Sequence, residues 1–184
     1  MDFMHDGLFR GRPFRAFNVI DDFNREALSI CIDTSLTSCR IIRELEHLLR
    51  WRGKPECLRV DNGPEFAAQA LRDWCGKHGI TLKFIQKGKP YQNGYIERFN
   101  RTYREEVLDA FAFDTLEQAR LLSHAWMWVY NNERPHGSLG YLTPARFLLK
   151  YGKLHHPQKA HIEFSTFQQD SNYSWKSLLL NDTK

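Results

Sequence analysis

The sequence predicts an α/β protein in which helices flank a mixed β-sheet. Two runs rich in β-branched and aromatic residues, RPFRAFNVID and ALSICID, flank the polar turn DFNRE and predict an antiparallel β-hairpin. After the hairpin, short strand patterns alternate with longer segments of helical period, which indicates βαβ units with parallel strands. The length of 184 residues fits one domain with a sizeable core.

Each element of this fold is marked by its own local pattern. MDFM predicts a strand before the hairpin, joined to it by the turn HDGLFRGR. The elements after the hairpin are, in chain order, a helix in CRIIRELEHLLRWRG, the strand CLRV, a helix in PEFAAQALRDWCGKHG, the strand ITLKFI, the loop QKGKPYQNG and a long helix from about residue 93 to 110. The second helix is expected to turn five apolar residues inward, namely Phe66, Ala67, Ala70, Leu71 and Trp74.

Two further helices are predicted towards the C-terminus. TLEQARLLSHAWMWVYNN reads as a capped helix, NNERPHGS as a turn, and PARFLLKYG as a last helix that begins at Thr143 and Pro144. We interpret the tryptophans of AWMWVYNN as core residues rather than as a base-stacking platform. His136, in the turn, is interpreted as a structural residue without a catalytic role.

The C-terminal segment differs from the rest of the chain, because it is polar and shows no clear period. We expect residues 1–150 to form the folded domain and residues 151–184 to form a tail of uncertain order. Three histidines of this segment could be read as a metal cluster, but a histidine-bearing polar tail is the favoured interpretation. They are His155, His156 and His161.

Composition narrows the class of protein. The apolar and aromatic content excludes a disordered chain, and no apolar run approaches the roughly 18 residues of a membrane span. The first residues have no signal-peptide character, so we expect a cytoplasmic protein. Four scattered cysteines form no CxxC pair and are expected to be buried or inert free thiols rather than zinc ligands or disulfides. They are Cys31, Cys39, Cys57 and Cys75.

The positive charge is concentrated in one region. The formal net charge is only +4, but residues 83–104 carry six basic side chains and a single acid, Glu97. The basic residues are Lys83, Lys87, Lys89, Arg98, Arg101 and Arg104. A cluster of this kind is typical of contact with a polyanion such as nucleic acid.

A carboxylate, Asp61, stands where the strand CLRV ends. It has two interpretations. Asp61, Asn62 or Gly63 could cap a helix that begins at Pro64. Alternatively, Asp61 is a functional carboxylate, since sites in sheets of this class gather at the carboxyl ends of parallel strands.

The long helix carries a second carboxylate, Glu97. Four residues share the face expected to pack on the sheet: Ile96, Phe99, Tyr103 and Val107. Glu97, Arg101 and Arg104 stand at i, i+4 and i+7 on a neighbouring, more exposed face. Taken alone, this pattern is equally typical of a solvated, salt-bridged helix face.

Three stretches in order carry a family resemblance: DNGPEF, GKPYQNGYIERFN with the basic residue Arg104, and YNNERPHGSLGYLTPARF. Together they resemble the DDE catalytic core of retroviral-type integrases and of insertion-sequence transposases of the OrfB type. The resemblance covers roughly residues 2–148 and makes residues 1–150 an integrase-type catalytic core. It implies an RNase H-like fold, with three carboxylates meeting at one edge of the sheet.

The resemblance also implies a set of site residues. From the residues alone the first carboxylate could be Asp2, Asp6, Asp21 or Asp22, with the last two more typical of a hairpin turn. The family pattern puts it in the strand before the hairpin and so implies Asp2, with Asp61 and Glu97 as the second and third. These three would be catalytic and would hold two Mg²⁺ (or Mn²⁺) ions, which prefer oxygen ligands and promote in-line phosphoryl transfer.

The activity that the resemblance implies is metal-dependent DNA cleavage at element ends, followed by joining of the free 3′ hydroxyl to target DNA. DNA would be bound through Lys87, Lys89, Arg101 and Arg104. The expected partner is DNA, both at the element ends and at the target. The chain is expected to form a homo-oligomer in the DNA complex, to bind no membrane and to act at the bacterial nucleoid. Two alternatives are a nuclease of the same fold that only hydrolyses, and an inactive DNA-binding or oligomerisation fragment.

The start of the chain leads to a further expectation. Only Met1 precedes Asp2, so the first strand is shorter than the family pattern. We expect a loosely held first ligand and poor cleavage by the chain as given, because chain ends without backbone pairing fray.

Overall fold

Five strands and six α-helices form the described part of the chain, residues 1–86 and 90–155, in a computed structural model. The strands are β1 Asp2–Gly7, β2 Pro13–Ile20, β3 Ala27–Asp33, β4 Cys57–Val60 and β5 Thr81–Phe84. The helices are α1 Ser38–Arg52, α2 Pro64–Ala67, α3 Gln69–His78, α4 Gly94–Tyr103, α5 Leu116–Asn132 and α6 Pro144–His155. The predicted tail beyond His155 lies outside the described residues.

The strands form two ladders. β1, β2 and β3 pair antiparallel in that order, with Asp2 opposite Asn18, and β4 and β5 pair parallel. The predicted combination of a hairpin start with later parallel strands is therefore confirmed, but one continuous sheet is not formed. The start of β1 reaches β4 through one bond, from the Met1 amine to the Arg59 carbonyl at 2.8 Å, and one bond does not make a ladder.

The central strand β2 is buried on both faces. Phe17 and Val19 enter a hydrophobic cluster with α1 and α3, whereas Phe14 and Ala16 enter a second cluster with α4 and α5. This alternation follows from the two-residue period of a strand. Helices therefore cover the three-stranded sheet on both sides, as the sequence predicts.

The predicted helix over residues 64–79 is interrupted at Ala68, which is extended (φ −60°, ψ 136°). Phe66, before the break, stacks on Phe3 with ring centroids 5.0 Å apart. Trp74, after the break, donates a hydrogen bond of 2.7 Å to Glu46 of α1. The break lets these two side chains dock on different neighbours. It also makes the predicted inward positions of Ala67 and Ala70 wrong, because both are exposed.

The predicted helix over residues 93–110 also changes form along its length. α4 ends at Tyr103 and continues as a π-helical turn over Arg104–Leu108, closed by a bond from the Asp109 N–H to the Arg104 carbonyl at 2.8 Å. The wider turn brings adjacent residues Val107 and Leu108 into the core together. The predicted packing face of this helix is confirmed, since Ile96, Phe99, Tyr103 and Val107 are all buried.

One smaller prediction needs correction. Trp126 packs in the core against Phe99 and Tyr130 as expected, but Trp128 is 46% exposed. All four cysteines are free thiols as predicted; Cys75 is buried and Cys39 is exposed. Within the described residues, no helix combines the length and apolar character needed to cross a membrane.

Candidate active site

Asp2, the first predicted ligand, opens β1 and is held from two sides. It pairs with Asn18 across the β1–β2 ladder. Its Oδ2 accepts a hydrogen bond of 2.7 Å from Asn100 Nδ2 on α4. Asn100 Oδ1 in turn accepts a bond of 2.8 Å from Asn18 Nδ2, which is fully buried. The loosely held first ligand that the sequence led us to expect is therefore not what the structure has, because a buried amide pair fixes it.

The carboxyl group of Asp2 lies in the electrostatic field of the other two predicted ligands. Its pKa is raised above the usual value, chiefly because Asp2 is largely buried, and the negative charges of Asp61 and Glu97 raise it further. A backbone hydrogen bond from Phe3 acts in the opposite direction. Asp2 of β1 therefore lies close enough to Asp61, at the end of β4, and to Glu97 of α4 for both negative charges to affect it.

Asp61 directly follows β4 and is held by the turn that leads into α2. Its Oδ1 accepts a hydrogen bond of 3.0 Å from the N–H of Gly63, the residue that precedes α2. A Cβ at position 63 would stand 3.0 Å from the same oxygen, so the absence of a side chain at Gly63 leaves room for the Asp61 carboxylate. Gly63 is the N-cap of α2 and no side chain caps this helix, so the capping interpretation holds for Gly63 and not for Asp61. One oxygen of Asp61 orders the turn, and the other has no partner among the described residues.

Glu97 lies in the first turn of α4 and is exposed. Its side chain makes no hydrogen bond or ion pair with another described residue. It stands one helical turn before Asn100, the residue that binds Asp2. The same helix therefore carries the third predicted ligand and supports the first.

The other aspartates that the sequence left open are bound to arginines. Asp6 pairs with Arg104, and Asp21 pairs with Arg52 at 2.9 Å. Asp22 pairs with Arg59 at 2.8 Å. Asp21 also caps the β2–β3 turn through the N–H of Phe23, in agreement with its interpretation as a turn residue.

The predicted DNA-binding residues differ in their availability. Arg101 is exposed, and its side chain makes no ion pair with a described residue. Arg104 is engaged within the molecule, donating to the carbonyl of His5 at 2.7 Å and pairing with Asp6 and Asp109 at 3.3 Å each. Lys87 and Lys89 lie outside the described residues. Of the four, Arg101 is the described cation most open to a ligand.

The donor set fits divalent cations in its chemistry. All three predicted ligands are carboxylates, the hard oxygen donors that Mg²⁺ and Mn²⁺ prefer. Within residues 1–86 and 90–155, no three His, Cys, Asp or Glu side chains are already grouped closely enough to hold a metal ion.

Sequence reasoning did not find the residues that support these carboxylates. Asn18 is a polar residue at a core position of the apolar strand β2, and that mismatch was a usable signal. Asn100 follows Glu97 by three residues, which places both on adjoining parts of one helix face. Gly63 was considered only as a cap, whereas its missing side chain is what accommodates Asp61.

Known proteins resemble this chain in sequence and in fold. Two profiles described as integrase core domain match residues 1–90 and 78–144. The chain is 44% identical over 151 residues to an uncharacterised 31.7 kDa protein of insertion element IS407 from Burkholderia multivorans, covering 82% of this chain and 54% of that protein. It is 40% identical over 151 residues to a 39.2 kDa protein of insertion element IS476 from Xanthomonas euvesicatoria, covering 82% and 44%. The chain thus spans about half the length of these relatives.

A solved structure supports the fold independently. The HTLV-2 integrase catalytic core domain, in complex with magnesium and in a trimeric form, aligns with a TM-score of 0.61 at 19% identity, covering 79% of this chain and 94% of that one. At this identity the likeness shows the fold alone, and it confirms the predicted RNase H-like class. The two profiles together span most of the chain and the insertion-element proteins share its sequence, so this chain belongs to the integrase core domain family.

Proposed function

We propose that this chain is the catalytic core of an insertion-element transposase, a DDE-type polynucleotidyl transferase that cuts DNA and joins the cut end to a target. The observation that carries the proposal is that the negative charges of Asp61 and Glu97 both raise the pKa of Asp2. These residues come from three separate elements of a chain in the integrase core domain family. A structural capping role for Asp61 alone gives no reason for that convergence.

Asp2, Asp61 and Glu97 would hold two Mg²⁺ or Mn²⁺ ions. Such ions, when bound, activate an attacking oxygen and stabilise a leaving oxygen of a phosphodiester. Because like charges repel, three carboxylates at one edge favour a divalent cation between them. The chain orients two of the carboxylates itself, through Asn100 at Asp2 and the Gly63 N–H at Asp61. One oxygen of each is thereby fixed in direction.

DNA would be the substrate, held along its backbone by Arg101 and by the predicted contacts Lys87, Lys89 and Arg104. Backbone contacts of this kind position a duplex without reading its sequence. Both element ends have to be held together for transposition, so the working form in this proposal is a homo-oligomer on DNA at the nucleoid. The trimeric form of the HTLV-2 core is consistent with self-association in proteins of this fold.

Metal binding tests the site without depending on activity. Mn²⁺ affinity, measured by electron paramagnetic resonance, should fall at least tenfold in Asp61→Asn and in Glu97→Gln, since each removes a charged ligand. Asp114→Asn is the matched control, because Asp114 is exposed and its carboxylate has no partner among the described residues. Equal Mn²⁺ affinity in all four proteins, with equal melting temperatures, would contradict the proposal.

Strand transfer tests the reaction class. A labelled, pre-cut duplex incubated with Mg²⁺ should yield joined products with the wild-type chain and none with Asp61→Asn. Hydrolysis products without joining would indicate the nuclease alternative. DNA binding that is independent of metal and unchanged in Asp61→Asn, with no products, would indicate the inactive DNA-binding fragment.

A further inference from the structure

A large basic cavity lies beside the candidate active site. Its volume is about 830 Å³, and it is bounded by the end of β5, the start of α4, the β2–β3 turn and the segment after α5. It shares elements with the site, since it includes Arg59 of β4 and Arg98 of α4, close along the chain to Asp61 and Glu97. Pockets of several hundred Å³ are the usual size for ligand binding.

The charge of the lining has one sign. Among the described residues that line the cavity, five are Lys or Arg and none is Asp or Glu: Arg25, Arg59, Lys83, Arg98 and Arg134. Arg59 and Arg134 are balanced by carboxylates outside the lining, Asp22 at 2.8 Å and Glu106 at 2.7 Å. The side chains of Arg25, Lys83 and Arg98 have no ion pair within the part of the chain that the structure describes. Three cations facing one cavity without counter-charges attract an anion.

Arg25 shows that this arrangement is built into the fold. Its backbone is left-handed (φ 61°), a conformation that is unfavourable for a non-glycine residue. Hydrogen bonds in the β2–β3 turn hold it there, from the Arg25 N–H to the Asp21 carbonyl at 2.8 Å and from the Asp21 N–H to the Glu26 carbonyl at 2.9 Å. Arg52, which is buried, ties both ends of the turn by pairing with Asp21 and Glu26.

The guanidinium of Arg25 is held over an aromatic ring, but two of its nitrogens lack hydrogen-bond acceptors. Its Cζ lies 3.4 Å from the ring centroid of Tyr95, while its Nε and Nη1 are shielded from solvent and have no acceptor among the described residues. Buried donors without acceptors are unfavourable, and the oxygens of an anion bound beside the guanidinium would satisfy them.

We propose that this cavity binds phosphates of the DNA backbone, as a contact site separate from the exposed Arg101 face of α4. The inference rests on the proposed function, which supplies DNA as the ligand. A chain of phosphates suits the cavity better than one anion does, because 830 Å³ and three free cations exceed what a single phosphate fills. Cations combined with a tyrosine ring are also the groups that hold nucleic acid strands.

The test compares matched charge deletions in the full chain. Arg25→Gln keeps the length and the left-handed strain, and Arg98→Gln changes an exposed helix position, so both should fold. The control is the double variant Arg43→Gln, Arg50→Gln on α1, whose exposed arginines have no ion pair in the described chain and lie outside the cavity. Affinity for a labelled duplex is measured by fluorescence anisotropy from 50 to 200 mM salt, with melting temperatures recorded alongside.

We expect the Arg25→Gln, Arg98→Gln double variant to bind DNA at least tenfold more weakly than wild type. Its slope of log affinity against log salt should be lower by about 1.5 to 2, one phosphate contact per arginine. The α1 control should bind like wild type. If the double variant has the same salt slope and the same DNA affinity as the α1 control, the cavity is not a DNA site, while the proposed function remains intact.

Two further outcomes are decisive. Wild-type protein that binds no duplex at all would overturn both the proposed function and this inference. Inorganic phosphate is the probe for a free-anion site. Phosphate could protect the wild type from thermal unfolding, while the double variant loses this protection but keeps full DNA affinity. In that case the cavity binds a free anion and the inference is wrong. If the double variant unfolds, the single variant Arg98→Gln is measured in the same assay, and DNA affinity equal to that of the control would overturn the inference.

Discussion

Asn100 donates a hydrogen bond of 2.7 Å to Asp2, a residue 98 positions away in the sequence. The bond joins α4, which carries Glu97, to the first position of β1. Asn18, buried in β2, fixes Asn100 from behind. The first and third proposed ligands are therefore not independent, because one asparagine sets where α4 stands relative to Asp2.

Asn100→Ala should weaken Mn²⁺ binding by about tenfold, since outer contacts that orient a metal ligand contribute on that scale. Asn131→Ala is the matched control. Asn131 also bridges elements, bonding both the N–H and the carbonyl of Ala27 at 2.8 and 2.9 Å, so its loss should lower stability without changing metal affinity. Electron paramagnetic resonance and thermal melting measure the two effects. Equal Mn²⁺ affinity in both variants would mean that Asn100 has only a structural role.

Gly63→Ala should reduce metal-dependent cleavage more than it reduces DNA affinity. The backbone at Gly63 (φ −59°, ψ 147°) suits alanine, so the fold should persist. The new Cβ would meet Asp61 Oδ1 at 3.0 Å, which forces the carboxylate to shift by a few tenths of an ångström. A shift on this scale uses up most of the roughly 0.5 Å within which such a site must hold its groups, so cleavage should fall without being abolished. Gly76→Ala in α3, where a Cβ meets nothing within 4 Å, is the control for glycine replacement.

Ser123→Ala should destabilise the protein more than Tyr103→Phe does. Ser123 Oγ donates to the Ala119 carbonyl at 2.6 Å, so its one hydroxyl hydrogen is used and Tyr103 must donate the 2.6 Å bond between the two hydroxyls. Phenylalanine removes that donor, whereas alanine leaves a buried phenol without an acceptor. We expect losses of about 1 kcal/mol for Tyr103→Phe and about 2 kcal/mol for Ser123→Ala, measured by urea unfolding. The reverse order would contradict this assignment of donors.

Stability should fall in acid partly through Glu106. Burial would raise the pKa of Glu106, but hydrogen bonds from Arg134 and Trp126 outweigh it and hold the pKa below the usual 4.5. A lowered carboxylate pKa stabilises the fold above the unfolded-state value, and this contribution disappears as pH falls through the folded-state value. The stability difference between wild type and Glu106→Gln should therefore shrink between pH 5 and pH 3. A constant difference would indicate that the ion pair does not contribute.

The elements of the fold were predictable because their signals are local. Alternation in β2 and the helical period of α1 follow from which residues are buried, and the order of the elements restricts the topology. The break at Ala68 was not predictable, because each half has a sound helical pattern and the break arises from where Phe66 and Trp74 dock. The π-helical turn after Tyr103 is likewise a response to packing, and its residues look like ordinary helix.

The candidate site was predictable in part for the same reason. Asp61 and Glu97 stand out from their local context, one at a strand end and one among basic residues. Asp2 could be chosen over Asp6 only through the family resemblance. The basic cavity had only a partial sequence signal. Lys83 and Arg98 belong to the basic segment 83–104, but Arg25 and Arg134 join them only in three dimensions, and each looks like a surface charge in its own segment.

The left-handed backbone at Arg25 has a consequence for how this position can evolve. Glycine would relieve the turn of about 1 kcal/mol of strain, so a library selected only for heat resistance should drift towards glycine at position 25. A library selected for retention on DNA should keep arginine. The two selections favour different residues at position 25, so the residue found there indicates whether stability or DNA binding was selected.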